Sequence, residues 1–214
     1  GKKGGRYLII EVDPDFEPAE IESRDVFGTR MEQQRDSRMA SLDDLTNVVT
    51  GDREVPDSAK TDMLVSMVAL KYTQSNSVCL AVDGQIIGMG AGQQSRIHCT
   101  RLAASKAETW WLRQHPDVLA LEFNKGTARP DRDNAVDRFL SDDLTDEEES
   151  AMAASFATAP TRLSAAEKRS WIAELGGVTL GSDAFIPFRD NIDRAAKTGV
   201  RYVVQAGNSL RDPD

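Results

Sequence analysis

The stretch from Lys71 to Arg101 constrains the fold most strongly, because it contains a complete β-hairpin flanked by polar residues. Val78 to Val82 is a short apolar run, Asp83-Gly84 is a two-residue turn of the type I′ kind, and Ile86 to Met89 returns antiparallel. Polar residues precede the first strand and follow the second. We therefore expect both polar clusters to meet at one end of a sheet.

The polar clusters are Thr73 to Asn76 before the hairpin and Gly90 to Arg96 after it. The glycines would let backbone approach a ligand closely, and free N–H groups at the start of the following helix favour an anion. Such a turn is also an ordinary connection, in which Arg96 is a solvated first-turn residue. The density of amide, hydroxyl and cationic groups around apolar strands favours a binding role.

Composition sets wider limits on function. The 214 residues are 40% hydrophobic and 29% charged, which is typical of a globular chain, and the net charge of −9 argues against a general binder of nucleic acid or anionic membrane. No apolar run reaches the length of a membrane span and no signal-peptide pattern opens the chain, so we predict a cytoplasmic location. Cys79 and Cys99 form no CxxC pair and should be reduced and buried, and no zinc-ligand spacing occurs.

The first part of the chain predicts a strand, an excursion and a helix. Tyr7 to Val12 is apolar and β-rich, which predicts a strand buried on both faces that begins abruptly, as in a piece of a longer chain. Residues 13–35 predict a surface excursion anchored by Phe16, Val26 and Phe27, or an arm packing on a neighbour. A helix should run from Pro56-Asp57 to about Leu70 with one buried face.

After the hairpin, a helix is predicted from about Ser95 to Gln114, with Trp110 and Trp111 in a core or an interface. Val118 to Phe123 predicts a strand. The segment 124–169 predicts an acidic, peripheral helical region, and Ser164 with Glu167 forms a capping-box pattern for a helix through Leu175.

The last part predicts a βαβ unit, with strands at 178–180 and 201–205 and a helix at about 192–198. Its first turn, 181–191, follows a strand at the edge where open α/β sheets bind ligands. A Phe ring beside Asp and Asn side chains suits a flat heterocycle with N–H donors. Asp190 is equally consistent with capping the following helix.

Three motifs resemble one known family: KYTQSNSV at 71–78, GAGQQSRIHCTR at 90–101 and SDAFIPFRDNID at 182–193. They are similar to the transformylase part of the bifunctional purine biosynthesis proteins, the 5-aminoimidazole-4-carboxamide ribonucleotide (AICAR) formyltransferase. The resemblance implies an α/β, cytidine-deaminase-like α/β/α layered fold with an inserted helical segment, present twice in the family. This chain would cover roughly the second half and be incomplete. The zinc signature of the deaminases is absent, and the family uses no catalytic zinc.

The resemblance also implies domain organisation and activity. Residues 1–123 would hold the end of the first and the start of the second formyltransferase subdomain, 124–175 the acidic helical segment, and 176–214 the βαβ unit that completes part of the site. The family transfers a formyl group from 10-formyltetrahydrofolate to the 5-amino group of AICAR in IMP biosynthesis. Its members are homodimers with shared sites, for which Trp110, Trp111 and the 13–35 arm offer surface.

Binding roles carry over in three groups. The residues that hold AICAR in the family are matched by Asn76, Arg96 and Phe185. The residues around the folate are matched by Ile97, Asp190, Ser209 and Leu210. The residues near a potassium ion are matched by Leu70, Thr73, Ser75 and Asp183.

The family's catalytic Lys-His pair, in a K-H-x-x-P-A-G-type motif, is absent from this sequence, and neither His98 nor His115 has that setting. We therefore expect a substrate- and folate-binding fragment without the catalytic base. The alternative is a non-catalytic structural or assembly subunit derived from the same fold. Retention of Asn76, Arg96 and Asp190 favours the fragment, and the lack of metal ligands excludes a nucleoside deaminase.

Overall fold

The computed structural model describes residues 2–5 and 8–207, and it confirms the α/β class. Its α-helices are α1 Asp57–Lys71, α2 Arg96–Leu112, α3 Pro116–Leu119, α4 Arg129–Leu140, α5 Asp146–Ala153, α6 Ala165–Ile172 and α7 Asp190–Ala196. Its strands are β1 Ile21–Val26, β2 Thr29–Gln34, β3 Ser77–Val82, β4 Gln85–Ala91, β5 Val178–Ser182 and β6 Val200–Val204. Short 3₁₀ turns occur at Lys2–Gly5 and Leu42–Leu45. Two compact units follow each other in the chain, one up to residue 39 and one from residue 40.

The first unit contains an antiparallel hairpin of β1 and β2 that the sequence analysis missed. Phe27 and Gly28 form its turn with φ of 50° and 79°, as a type I′ turn requires. The predicted anchoring role of Phe27 is wrong, because its side chain is fully exposed at this turn. The strands carry charged and polar residues on both faces, and this pattern hid the hairpin from a search for alternating apolar residues.

The strand predicted at Tyr7 to Val12 is also wrong for the residues that the structure describes. Tyr7 lies outside the described residues, and residues 8–12 adopt no strand. Leu8 and Ile10 are 90% and 78% exposed. A strand needs a partner edge for its N–H and C=O groups, and no described strand pairs with residues 8–12. Local β propensity alone therefore does not order this run.

The second unit is built on a four-stranded sheet of order β4-β3-β5-β6. β3 is antiparallel to β4 and β5, whereas β5 and β6 are parallel and joined through α7, which confirms the βαβ unit. Ser77 is paired with Ala91, and the next residue, Val78, with Ser182. The start of β3 and the ends of β4, β5 and β6 therefore share one edge of the sheet, where the polar clusters were expected to meet.

The hairpin prediction is confirmed down to its turn. Asp83 and Gly84 have φ of 52° and 74°, the type I′ geometry. The N–H of Gly84 donates to Oδ1 of Asp62 at 2.6 Å, and Asp62 is 2% exposed on α1. The carboxylate thus ties the turn to the helix that precedes the hairpin.

Helices cover both faces of this sheet. On one face, Val78 and Leu80 of β3 pack with Cys99 and Ala103 of α2, and α7 packs beside α2. A Cβ at Gly88 would lie 2.0 Å from the carbonyl oxygen of Ala103, so the helix backbone needs this glycine. The close approach expected for a ligand is therefore made by α2.

The other face is covered by α1, which packs against β3 and β5. Cys79 lies on this face, within 3.9 Å of the carbonyl oxygen of Ser66, and a Cβ at Gly181 would lie 2.6 Å from the Cβ of Ser66. The layers are therefore α1, the sheet, and α2 with α7. Both cysteines are free and buried, as predicted.

The segment between α2 and β5 has its own core. Its buried apolar residues are Val118, Ala135, Phe139, Leu140, Met152, Phe156 and Leu163, and Leu112 at the end of α2 packs with them. The strand predicted at Val118 to Phe123 is wrong: α3 starts at Pro116 behind a His115 cap, and Phe123 makes only a single bridge to Phe156. Pro at the first helical position favours this turn of helix over a strand.

Aromatic residues join α2 to α6. Trp111 stacks on Trp171 with 5.5 Å between ring centroids, and each Nε1–H donates to the other residue's carbonyl, at 2.8 and 2.9 Å. Trp111 is thus a packing residue within the chain. The capping box at Ser164 and Glu167 is confirmed, with bonds of 2.7 and 3.2 Å.

Candidate functional site

The candidate site lies at the sheet edge where β3 begins and where β4, β5 and β6 end. Arg96 is the first residue of α2, and Ser182 is the last of β5. Asn76 directly precedes β3, and Asp183 directly follows β5. Antiparallel pairing of β3 with β5 brings these four residues together although they come from three parts of the chain.

Arg96 is the centre of this arrangement and is 8% exposed. Its Nη2 donates to Oδ1 of Asn76 at 2.9 Å. Its Nη1 donates to Oγ of Ser182 at 2.9 Å, to the carbonyl of Ser77 at 3.2 Å and to the carboxylate of Asp183. A buried guanidinium needs such compensation, since an unpaired buried charge is costly. We call Asn76, Ser77, Arg96, Ser182 and Asp183 the sheet-edge network.

Asp183 carries the compensating charge. Burial alone would raise the pKa of this carboxyl, but hydrogen bonds from Ser75, Arg96 and the N–H of Ser77, together with the charge of Arg96, hold it below its usual value. The Ser77 N–H bond measures 3.0 Å. Asp183 is therefore ionised at neutral pH, and the positive charge of Arg96 is neutralised within the chain.

Asn76 is held on both sides of its amide. Its Nδ2 donates to the carbonyl of Gln93 at 3.1 Å, while Oδ1 accepts from Arg96. Its backbone carbonyl accepts from Sγ of Cys99 at 3.1 Å, and burial raises the pKa of that thiol. Asn76 thus links the loop before β3 to the loop before α2.

A second polar link joins α2 to α7 one helical turn beyond Arg96. Oγ1 of Thr100 donates to Oδ1 of Asn191 at 2.8 Å. Nδ2 of Asn191 donates to the carboxylate of Asp190 at 2.9 Å and to the carbonyl of Phe188 at 3.1 Å. Arg96 and Asp190 therefore lie on the same face of the sheet, at the starts of neighbouring helices.

The remaining predicted ligand residues lie around these links. Phe185 is 46% exposed in the loop between β5 and α7, and the loop is tied to the end of β6 by the N–H of Ile186, which donates to Oε1 of Gln205 at 2.6 Å. Ile97 is half-buried beside Arg96. Ser209 and Leu210 lie outside the described residues.

The predicted potassium residues lie on the α1 side of this edge. Thr73 donates from its N–H to the carbonyl of Leu70 at 3.0 Å and from Oγ1 to the carbonyl of Ala69 at 2.7 Å. Ser75 bonds to Asp183. Oγ of Ser77 is fully buried and has no hydrogen-bond partner in the described part of the chain.

A separate open groove of about 1180 Å³ lies between residues 44–55, α7 and β6. Phe188, Arg189 and Ile192 line one side of it, and Tyr202 and Val203 another. Asn76, Arg96, Phe185 and Asp190 do not line it. The structure thus brings Asn76 and Arg96 into contact and links Asp190 to the same edge, but it does not place the four residues in this groove.

Sequence reasoning missed Ser77 and Thr100, and it placed Ser182 and Asn191 in the ligand-binding turn without predicting their bonds to Arg96 and Thr100. Each lies within or directly beside the residues already singled out: Ser77 follows Asn76, Thr100 is four residues after Arg96, and Asn191 follows Asp190. Residues four apart on a helix share a face, which was the available signal for Thr100. No local signal predicted that Arg96 and Asp183, 87 residues apart, would pair.

The fold and the site define an α/β protein with a charge-balanced polar network at a sheet edge. The family model described as AICARFT/IMPCHase bienzyme matches residues 1–106. The bifunctional purine biosynthesis protein PurH of Rhodospirillum rubrum is 28% identical over 213 residues, and PurH of Lactobacillus acidophilus is 27% identical over 213. The chain is therefore similar to the AICARFT/IMPCHase bienzyme family in its first half and to the PurH proteins along its length, as the sequence motifs indicated.

The chain is covered entirely by these two alignments but spans only 30% and 29% of the relatives' lengths. Within the described residues, no helix combines the length and the apolarity that crossing a membrane requires. The same residues contain no cluster of three or more His, Cys, Asp or Glu side chains suited to a metal ion.

Proposed function

We propose that this chain is part of an AICAR formyltransferase of purine biosynthesis and contributes the AICAR- and folate-binding part of a formyl-transfer site. The observation that carries the proposal is the sheet-edge network. It holds a largely buried charged pair and a half-buried, oriented amide at the edge of the sheet where open α/β proteins bind ligands. The whole-length similarity to the PurH proteins supports the same assignment.

The network suggests a division of labour among the AICAR residues. Both terminal nitrogens of Arg96 are used within the chain and its charge is balanced by Asp183, so Arg96 orients Asn76 instead of neutralising a ligand phosphate. Beyond its bonds to Gln93 and Arg96, the Asn76 amide has a second Nδ2–H and a second Oδ1 lone pair, which it presents in a fixed direction to the carboxamide of AICAR. The exposed ring of Phe185 offers a face on which the imidazole can stack.

Asp190 is the proposed folate contact. Its carboxylate is exposed at the start of α7 and, among the described residues, accepts a side-chain hydrogen bond from Asn191. A carboxylate has about four acceptor positions, so N–H groups at the edge of a pterin can be bound by the others. Ile97, Ser209 and Leu210 would complete the apolar and polar surroundings of 10-formyltetrahydrofolate.

Formyl transfer needs a base that removes a proton from the 5-amino group of AICAR as its nitrogen attacks the formyl carbon. The resemblance assigns this role to a Lys-His pair that is absent from this sequence. The loss of a general base costs on the order of 10²–10⁴ in rate. The 214-residue chain is therefore expected to bind substrate without measurable turnover, unless another chain supplies the base.

A potassium ion fits the oxygen-rich region on the α1 side. The donors proposed there are the carbonyl of Leu70, the hydroxyls of Thr73 and Ser75, and the carboxylate of Asp183. A hard cation binds oxygen ligands of this kind, and the unpartnered hydroxyl of Ser77 is buried beside them. Such an ion would hold the loop before β3 in place.

The wider features of the family belong to the same proposal. In this proposal the observed α/β/α layers belong to a cytidine-deaminase-like fold, with subdomain boundaries at residues 123 and 175. The protein would be a homodimer with shared sites and would be located in the cytoplasm. The second candidate, a non-catalytic assembly subunit, would need none of the ligand contacts. It is disfavoured by the cost of keeping the Arg96–Asp183 pair buried at an exposed sheet edge.

Isothermal titration calorimetry with AICAR tests the proposal. The chain should bind AICAR, and Phe185→Ala should weaken binding about tenfold, the scale of one lost stacking contact. Phe27→Ala is the control, because it removes an exposed ring from the β1–β2 turn, which is not part of the sheet-edge network. A tetrahydrofolate-release assay should remain at background.

Two outcomes would count against the proposal. Absence of AICAR binding by the folded chain at millimolar ligand would favour the assembly subunit. Equal effects of Phe185→Ala and Phe27→Ala would remove Phe185 from the site.

A further inference from the structure

We infer that Thr100 is a positioning residue. Through Asn191 it holds Asp190 and the loop before α7 at a fixed position relative to the sheet-edge network. The inference rests on the proposed function, since Asp190 is the proposed folate contact. Thr100 and Asn191 are each 1% exposed, so they contact no ligand and act through Asp190. Nothing in the sequence motifs distinguishes Thr100 from the other residues of α2.

The geometry leaves Asn191 one orientation. Its Nδ2 faces the carbonyl of Phe188 and the carboxylate of Asp190, which are acceptors only. Oδ1 must therefore face Thr100 and receive the hydroxyl proton at 2.8 Å. Oγ1 of Thr100 also lies 3.2 Å from the carbonyl of Arg96, so the hydroxyl touches the first turn of α2 as well.

The two bonds that Nδ2 of Asn191 donates fix different parts of the site. The bond to Asp190 selects the direction of its carboxylate, and the bond to Phe188 fixes the backbone of the loop that carries Phe185. Thr100 lies one turn after Arg96 on a rigid helix. The buried hydroxyl of Thr100 therefore fixes the position of Asp190, the proposed folate residue, relative to Arg96, which orients Asn76.

The same two helices carry a second polar link that serves as a control. Just beyond the end of α7, Oγ1 of Thr198 donates to Oε1 of Glu108 at 2.7 Å, and Arg194 of α7 pairs with Glu108 at 2.9 Å. Thr198 is fully buried. Thr100→Val thus removes a buried hydroxyl that bonds α2 to α7 near the proposed site. Thr198→Val removes a buried hydroxyl that bonds to Glu108 of α2 and to Arg194 of α7, away from that site.

Hydrogen exchange of the free chain tests positioning without any ligand. In wild type, the side-chain amide protons of Asn191 should be protected from exchange. Thr100→Val should raise exchange across residues 185–191 about tenfold, whereas Thr198→Val should leave these residues near the wild-type rate. Thr100→Ser keeps the hydroxyl and should restore protection.

Calorimetry with tetrahydrofolate then tests the consequence for binding. Thr100→Val should weaken tetrahydrofolate binding about tenfold, with Thr100→Ser and Thr198→Val within about threefold of wild type. If wild type binds no tetrahydrofolate, the proposed function fails while hydrogen exchange still decides the positioning. Unprotected Asn191 amide protons in wild type, or equal exchange in both valine variants, would overturn the inference.

Discussion

The sheet-edge network and the helical segment from Pro116 to Ile172 bury their residues in opposite ways. At the sheet edge, Arg96 is 8% exposed and its side chain is surrounded by polar partners. In the helical segment, Phe139 and Phe156 meet edge to face with 6.3 Å between ring centroids in an apolar core. The buried cation of that segment, Lys168, pairs with an Asp142 side chain that is 80% exposed.

The apolar core of the helical segment and the ion pair at the sheet edge contribute differently to stability. An apolar core contributes stability because apolar side chains leave water and pack closely. The size and shape of its side chains therefore matter more than which apolar residue is present. A buried ion pair contributes little net stability against an apolar replacement, so stability alone does not account for its presence at the sheet edge. The exposed residues at the sheet edge should therefore respond to mutation mainly in ligand affinity, and the apolar residues of the helical segment mainly in the free energy of unfolding.

The largest expected effect is on stability and comes from Phe139 in the helical segment. Phe139→Ala should lower the free energy of unfolding by about 4 kcal/mol, because a side chain that is 1% exposed leaves a cavity. Urea unfolding followed by circular dichroism measures this loss. AICAR affinity of the folded variant should match wild type.

Phe185→Ala is the counterpart at the sheet edge. Its ring is 46% exposed, so the free energy of unfolding should change by about 0.5 kcal/mol or less while AICAR binding weakens. If Phe139→Ala proves as well tolerated as Phe185→Ala, the assignment of the segment's stability to its apolar core is wrong.

The next largest effect comes from separating the buried charges. Asp183→Asn leaves the Arg96 guanidinium without its counter-charge and should cost about 3 kcal/mol of unfolding free energy. The double variant Arg96→Met with Asp183→Asn should be more stable than the sum of the single effects predicts, by at least about 1 kcal/mol. A thermodynamic cycle in urea measures this coupling.

Arg113 and Asp137 supply the control cycle, because they form an ion pair whose side chains are 30% and 62% exposed. Their coupling should stay below about 1 kcal/mol. Equal coupling energies in the two cycles would show that burial of the Arg96–Asp183 pair has no special consequence.

The smallest effect concerns acid stability. Because the pKa of Asp183 lies below its usual value in the folded chain, its contribution to stability is present above the ordinary carboxyl pKa of about 4. The contribution is lost as pH falls below that value toward the folded pKa. Asp183→Asn should therefore reduce the slope of the unfolding free energy against pH below pH 4. The reduction should correspond to the binding of about one proton at most. An unchanged acid limb in urea titrations would contradict the pairing.

Local chemistry explains which parts of the fold were predictable. The Asp83-Gly84 turn and the Ser164–Glu167 capping box were predicted correctly because neighbouring residues determine them. Residues 8–12 and 118–123 were predicted as strands because they are apolar and β-rich, yet strands also need partners that sequence does not reveal. Pro116 was a local signal for α3 that the β-rich run outweighed.

The candidate site was predictable to a similar extent. Motif residues such as Asn76 and Arg96 were identified, and their meeting at one sheet edge followed from the hairpin. Their roles did not follow, because the partner that neutralises Arg96 comes from the far end of the chain. Pairing across so long a separation depends on β3 lying beside β5, which only the structure shows.

The most direct test of the central claim is a chemical-shift titration of the isotope-labelled chain with AICAR, because it maps where the ligand binds. We expect shifts concentrated at residues 74–76, 92–97 and 183–191, around the sheet-edge network. Shifts confined to residues 44–55 and 200–204 would place the ligand in the separate groove and contradict the account.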